Sequence, residues 1–208
     1  MQAEPFITAS CIIRSNAVYK NGKTEFREPA LSPADFLDEL YRFEQTAYPK
    51  FHKMDMLCKL GFLAAEILLK DTGHAGKYRD EETGIVLSNR NGSLDVDLKY
   101  AKTMQAGASP ALFVYTLPNV VIGEIAIRHQ FKGENAFFVF KAFNGNFIAE
   151  YVNGLFNSKL VKSCICGWVD YLGTDYEALL MLVETTKTGM ALPFTAEQVN
   201  QLNGNNYG

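Results

Sequence analysis

No cluster of basic residues occurs in this 208-residue chain, whose 20 Lys and Arg are scattered and outnumbered by 23 Asp and Glu. Nucleic acid and anionic membrane surfaces both call for concentrated positive charge, so neither is an expected partner. Apolar runs long enough to span a bilayer are also missing. The opening stretch, MQAEPFITASCIIRS, lacks a basic segment ahead of a long apolar run. No secretory leader is therefore expected, and a cytoplasmic location is. Cysteine is scarce: Cys11, Cys58, Cys164 and Cys166 all sit in apolar stretches and not in turn-rich loops. That placement speaks against a disulfide framework and for buried free thiols in a reducing compartment.

Cofactor signatures are missing too. Gly84, Gly92 and Gly107 do not form a phosphate cradle, and no Gly-x-Gly-x-x-Gly or Walker pattern follows a strand, so no nucleotide or other cofactor is expected. His52, His74 and His129 stand apart from one another, without the clustered ligands a metal needs. Cys164 and Cys166 alternate with Ile165, which points both sulfurs to one face of an apolar strand and into packing. With no second pair to complete a zinc site, no metal is expected. The charged run at 77–82, KYRDEE, reads as a solvated loop.

What is present has the periodicity of a layered α/β chain. PFITASCIIRS reads as a first strand, followed by a polar turn at Asn21 and Gly22. In LSPADFLDELYRF, Ser32 suits an N-cap, Pro33 fits the first turn, and Phe36, Leu37, Leu40 and Phe43 recur at helical spacing. MDMLCKLGFLAAEILLKD is apolar around nearly its whole circumference, the pattern of a helix packed on several sides. GIVLSN at 84–89, AFFVF at 136–140 and LVKSCICGWV at 160–169 read as buried strands. NFIAEYVNGLF between the last two has helical spacing, and strand, helix, strand makes a crossover unit. YEALLMLVETTK supplies a further strand. The expected fold is α/β, a layered mixed sheet with a buried central helix. One domain is expected over 1–208, with a polar tail frayed from about residue 200.

The order of these elements and several short strings resemble the N-terminal half of the β-ketoacyl synthases of the thiolase superfamily. The specific run is SPALFVYTLPNVVIGEIAIRHQFKGENA. In it Ser109-Pro110, Leu117-Pro118-Asn119, Gly123, Ile127-Arg128, Phe131, Gly133 and Asn135 keep the spacing seen in synthases. YPKFHKMDMLCKLGFLAAEILL, GIVLSNRNGSLDVD, CICGWVDYL and EALLMLVE extend the likeness over most of the chain.

The resemblance implies a thiolase-like fold and places the synthase nucleophile, a cysteine at the start of a helix, at Ala142. FKGENAFFVFKAFNGNFIAEY, residues 131–151, contains neither cysteine nor serine. A shift of one or two residues lands on Phe140, Lys141, Phe143 or Asn144, none of which can form a thioester. Two further histidines and a lysine come from the synthases' C-terminal half, and this chain is about half the family's length. No catalytic residue is therefore assigned. The resemblance implies instead a chain-length-factor-like subunit of the half-length kind found in aryl-polyene-type polyketide systems. Such a subunit pairs with a full-length β-ketoacyl synthase, or with itself, and helps set acyl chain length in polyketide or fatty acid synthesis. An acyl carrier protein is a further implied partner. Phe113, Tyr115, Leu117, Phe138, Phe140, Lys141 and Phe143 are the candidates for facing the partner or the acyl tunnel, with core packing as their alternative role. Two other readings stay open: an acyltransferase or hydrolase using Cys164 or Cys166, and a homodimer that binds an acyl chain or acyl-carrier protein by itself.

Overall fold

The computed structural model describes residues 4–105 and 107–204. One mixed sheet of eight strands organises them, in the order β3-β2-β1-β7-β6-β4-β5, with β8 pairing β1 off this path. The strands are β1 (Phe6–Arg14), β2 (Ala17–Lys20), β3 (Lys23–Arg27), β4 (Thr83–Asn89), β5 (Asn135–Val139), β6 (Ser163–Leu172), β7 (Asp175–Glu184) and β8 (Leu192–Pro193). The helices are α1 (Pro33–Phe43), α2 (Met56–Leu69), α3 (Leu94–Thr103), α4 (Pro110–Phe113), α5 (Val120–His129), α6 (Gly145–Asn157) and α7 (Ala196–Gly204). Two tight turns make the first meander. The turn at Asn21 and Gly22 has positive φ at both residues, as does a second at Ser15 and Asn16 that the residue pattern did not announce.

Alternation along the strands divides the core into two layers. Ile13, Leu180, Ile165 and Leu87 face α1, α2 and α5 on one side of the sheet. Ile12, Met181, Cys166 and Val86 face α6 and α7 on the other. Helix α1 starts as its sequence requires, with the Ser32 hydroxyl accepting from the Asp35 amide at 3.2 Å. Helix α2, apolar all round, is wedged between the sheet and α5. Gly61 makes that wedge possible, because a Cβ there would collide with Val121 Cγ2 and stand 3.4 Å from Val169 Cγ1.

Three expectations need correction. AFFVF at 136–140 is not a buried strand: β5 ends at Val139 and lies at the edge of the sheet, half-buried at best, because among the described residues only β4 pairs with it. The tail is not frayed from residue 200: α7 continues to Gly204, and Val199 and Leu202 are buried against the α6 layer. Their i, i+3 spacing gives a polar segment one apolar edge, which the sheet covers. Residues 205–208 lie outside the described residues. The charged run at 77–82 is not simply a solvated loop either. Lys77 Nζ reaches the buried Glu184 carboxylate at 2.8 Å, and Asp80–Glu82 form a short 3-10 turn leading into β4.

Gly61→Ala should lower stability by about 1–3 kcal/mol through overpacking, overriding the roughly 1 kcal/mol that a helical alanine gains over glycine. Urea unfolding would register a lower midpoint at unchanged slope. An unchanged midpoint would mean that α2 and α5 part without cost.

Candidate functional site

The last turn of β5 and the first of α6 form the junction of interest. Strand β4 is buried at every residue and hydrogen-bonds β5 in parallel, from Ile85 beside Asn135 to Asn89 beside Val139. Gly133 allows β5 to start where it does: a Cβ there would strike the Thr83 carbonyl. Beyond Val139 the chain turns through Phe140–Asn144, where Lys141 and Ala142 are exposed. Phe143 folds inward, its ring 6.1 Å from that of Trp168. Asn144 caps α6, its Oδ1 accepting from the Phe147 amide at 3.0 Å. Asn200 of α7 presses on Gly145 and donates to Asn146 Oδ1 at 2.9 Å. A helix N-terminus favours an anion, yet residues 140–147 supply no thiol or hydroxyl to become one.

Around this junction lies an apolar surface. Strand β5 ends the sheet, and among the described residues nothing pairs with its outer side. The opposite edge, β3, reads KTEFR and is guarded by charge, whereas β5 reads NAFFV with Val139 56 % exposed. Half-buried Phe138 and Phe140 meet Phe147 of α6 edge-on, at 4.7 and 5.0 Å between ring centres. Tyr151 of α6 adds its ring 5.0 Å from Phe138. At the α4–α5 connection Phe113 and Leu117 are exposed, while Tyr115 turns inward. Of the residues expected to face a partner, Phe138, Phe140, Lys141 and Phe143 thus share the β5–α6 junction. Phe113 and Leu117 form a separate crest, and Tyr115 joins the core.

At the other end of β4, beside Thr83, is an open cleft of about 640 Å³ lined by His74, His129, Phe131, Glu66 and Arg128. His74 is buried and its Nε2 sits 2.9 Å from the Ser163 hydroxyl; burial pushes its pKa down and keeps it neutral. Glu66 takes Arg128 through two hydrogen bonds of 3.1 and 3.0 Å and His129 at 2.9 Å. Burial would raise this carboxyl, but the His129 ring beside it and the two hydrogen bonds from Arg128 prevail and hold it below its ordinary value. His52, exposed in a 3-10 turn, stacks edge-on to Tyr41 and Phe51.

The architecture has counterparts among solved structures. The chain aligns with the ishigamide ketosynthase/chain length factor at a TM-score of 0.62 and 19% identity, over 87% of its own length and 62% of that chain. It aligns likewise with the AntDE:AntF complex, a type II PKS acyl-carrier protein with its ketosynthase, at a TM-score of 0.62, 12% identity and 88% and 63% coverage. A third match is to the complex of the ketosynthase ApeO with its chain length factor ApeC from Xenorhabdus doucetiae. There the TM-score is 0.55 at 14% identity, and coverage is 97% of this chain and 92% of that one. The chain has the thiolase-like fold of ketosynthases and chain length factors. It spans about 60% of the length of the first two relatives and nearly all of the third. No sequence-family model and no curated protein sequence matches it.

Within this ketosynthase fold the sequence-singled histidines and the β5–α6 junction are not brought together. His74 and His129 border the start of β4, and Ala142 follows the end of the parallel strand β5. Seven residues of strand, about 20 Å, separate the two ends. Sequence reasoning passed over Glu66, Glu124 and Glu184. The lone acid inside VVIGEIAI was the available signal for Glu124, since a charge in an apolar helical run is buried only when paired. Cys164 and Cys166 line the α6 layer of the core and are fully buried, so an acyl substrate has no path to either sulfur. Burial also lifts the Cys166 thiol well above its ordinary pKa, which withholds the nucleophilic thiolate. The acyltransferase or hydrolase reading through these cysteines has no geometric support.

Ellman's reagent should therefore label fewer than one of the four thiols of the native protein within minutes, and all four once it is denatured. Rapid native labelling of one thiol per chain would reopen a cysteine-based activity.

Proposed function

We propose that this chain is a non-catalytic ketosynthase-like subunit that pairs with a full-length β-ketoacyl synthase and helps shape its acyl tunnel. The product would be a polyketide or fatty acyl chain. The observation that carries this reading is an apolar, uncovered β5 edge that runs directly into a helix start without a nucleophile. An uncovered edge presents unpaired backbone donors and acceptors beside Val139 and the Phe138–Phe147–Tyr151 cluster, which is a template for another strand and an interface core. Natural edges are usually blunted by charge, as β3 is. Two solved relatives, named as a ketosynthase with its chain length factor, add to this reading.

In this arrangement the catalytic cysteine and histidines belong to the partner. This chain contributes apolar wall: Phe113 and Leu117 from the crest, and Phe138, Phe140 and Phe143 from the junction, with Lys141 beside them. Acyl carrier protein would serve the partner's nucleophile and not Ala142.

Co-expression with a full-length β-ketoacyl synthase from the same genome should give a one-to-one complex by size exclusion with light scattering, in which only the partner becomes acylated. Val139→Asp should weaken that complex at least about tenfold, while the isolated chain, changed only at an exposed side chain, keeps its stability within about 0.5 kcal/mol. A homodimer that ignores the synthase and takes up acyl groups itself would overturn the proposal.

A further inference from the structure

Helix α6 covers the sheet with one face and leaves the other bare. Ile148, Ala149, Val152 and Phe156 are buried in the core layer. On the outside of the same helix, Phe147, Glu150, Tyr151, Gly154, Leu155 and Ser158 line an open groove of about 420 Å³. Their spacing of three to four residues makes the groove run lengthwise down the helix. Phe147 is half-buried, Tyr151 is 36 % exposed, and Leu160, just past the helix end, is 50 % exposed.

Gly154, at the centre of this groove, is not explained by the fold of a single chain. Its φ is not left-handed, and a Cβ there would meet nothing within 4 Å. Glycine in an exposed helix interior costs stability relative to alanine, so neither a turn nor a close neighbour within the chain accounts for it. What a bare Cα offers is close approach to another backbone. The charges around it are arranged for a copy of the same helix. Glu150 lies four residues before Gly154 and Lys159 five residues after it, at nearly equal distances along the axis. Both are exposed, and neither has an ion-pair partner among the described residues. An antiparallel copy crossing at Gly154 sets each Glu150 opposite Lys159 of the other copy, and each Phe147 opposite its Leu160. A two-fold interface makes every such contact twice.

We propose that the outer face of α6 is a self-association surface, on which two copies of this chain pair antiparallel across Gly154. Two helices of 13 residues bury less area than a stable dimer needs, so the pairing is reversible and depends on concentration. Phe147 and Tyr151 also belong to the aromatic cluster beside the β5 edge. Self-pairing therefore shields that cluster in the free chain and excludes pairing with a synthase. The exclusion rests on the proposed function above; the self-pairing does not.

Sedimentation equilibrium of the isolated full chain at low salt, where charge contacts are least screened, should show a monomer–dimer equilibrium. Gly154→Leu should weaken it at least about tenfold. Leucine is the better helix former at an exposed position, so the urea midpoint of this variant should not fall below the parent's, and its lost dimer is not lost folding. Glu150→Lys and Lys159→Glu should each weaken dimerisation about tenfold. An equimolar mixture of these two variants, and the chain carrying both changes, should return to within about twofold of the parent affinity. Full-length synthase added to the parent should form one-to-one complexes at the expense of the dimer. A chain monomeric at every concentration up to about 1 mM overturns the proposal. So does a dimer indifferent to Gly154→Leu, which would place the contact at the β5 edge instead, or one that the mixture fails to restore. A two-to-two particle with the synthase overturns the exclusion. A synthase that binds neither form counts against the proposed function alone and leaves the self-pairing standing.

Discussion

Strand β4 is hydrogen-bonded on both sides, by β5 and β6, and buried at every residue, and the rest of the structure is referred to it. Because its two neighbours run parallel to it, the start of each strand gathers at one end and the finish at the other. Parallel strands need crossovers that cover the sheet's faces, and α6 with the helices around α2 provides them. What such a sheet cannot cover by itself is its last edge. The β5 edge is left apolar here, and the β3 edge is guarded by Lys23, Glu25 and Arg27.

The polar groups are distributed along the same axis. At the starting end, buried His74 bonds Ser163, and Glu66 gathers Arg128 and His129. These contacts tie the ends of α2 and α5 to the entry of β4 and leave no imidazole near the α6 start. At the finishing end, Asp170 accepts from the Arg90 and Asn91 amides, fixing the loop that leads to α3. The turn after β5 carries no thiol or hydroxyl between residues 140 and 147. The fold has counterparts in complexes of ketosynthases with chain length factors.

Much of the fold was legible in advance. The period-two and helical patterns placed β1, β4, β5, β6, β7, α1, α2 and α6 close to where they lie, and the apolar setting of the cysteines anticipated free buried thiols. The turn at Ser15 and Asn16 was not legible, because neither residue is glycine and both take left-handed φ only under the pairing of β1 with β2. Nor was α7, whose polar segment becomes helical because the α6 layer receives Val199 and Leu202. Of the candidate site, the aromatic residues were named, but their division into a junction, a crest and the inward Tyr115 was not.

The sequence alone determined the order of elements, the two-faced alternation of the strands and the lack of any cysteine or serine between residues 131 and 151. Each is a local property, fixed by residue type and by spacing along the chain. Tertiary structure alone decided that β5 is an edge, that the histidines lie some 20 Å of strand away from Ala142, and that Tyr115 points in while Phe113 and Leu117 point out. Those outcomes depend on which distant groups arrive beside a residue, such as Glu124 beside Tyr115 and Lys50 beside Glu124. Such neighbours leave no period in the sequence from which they could be read.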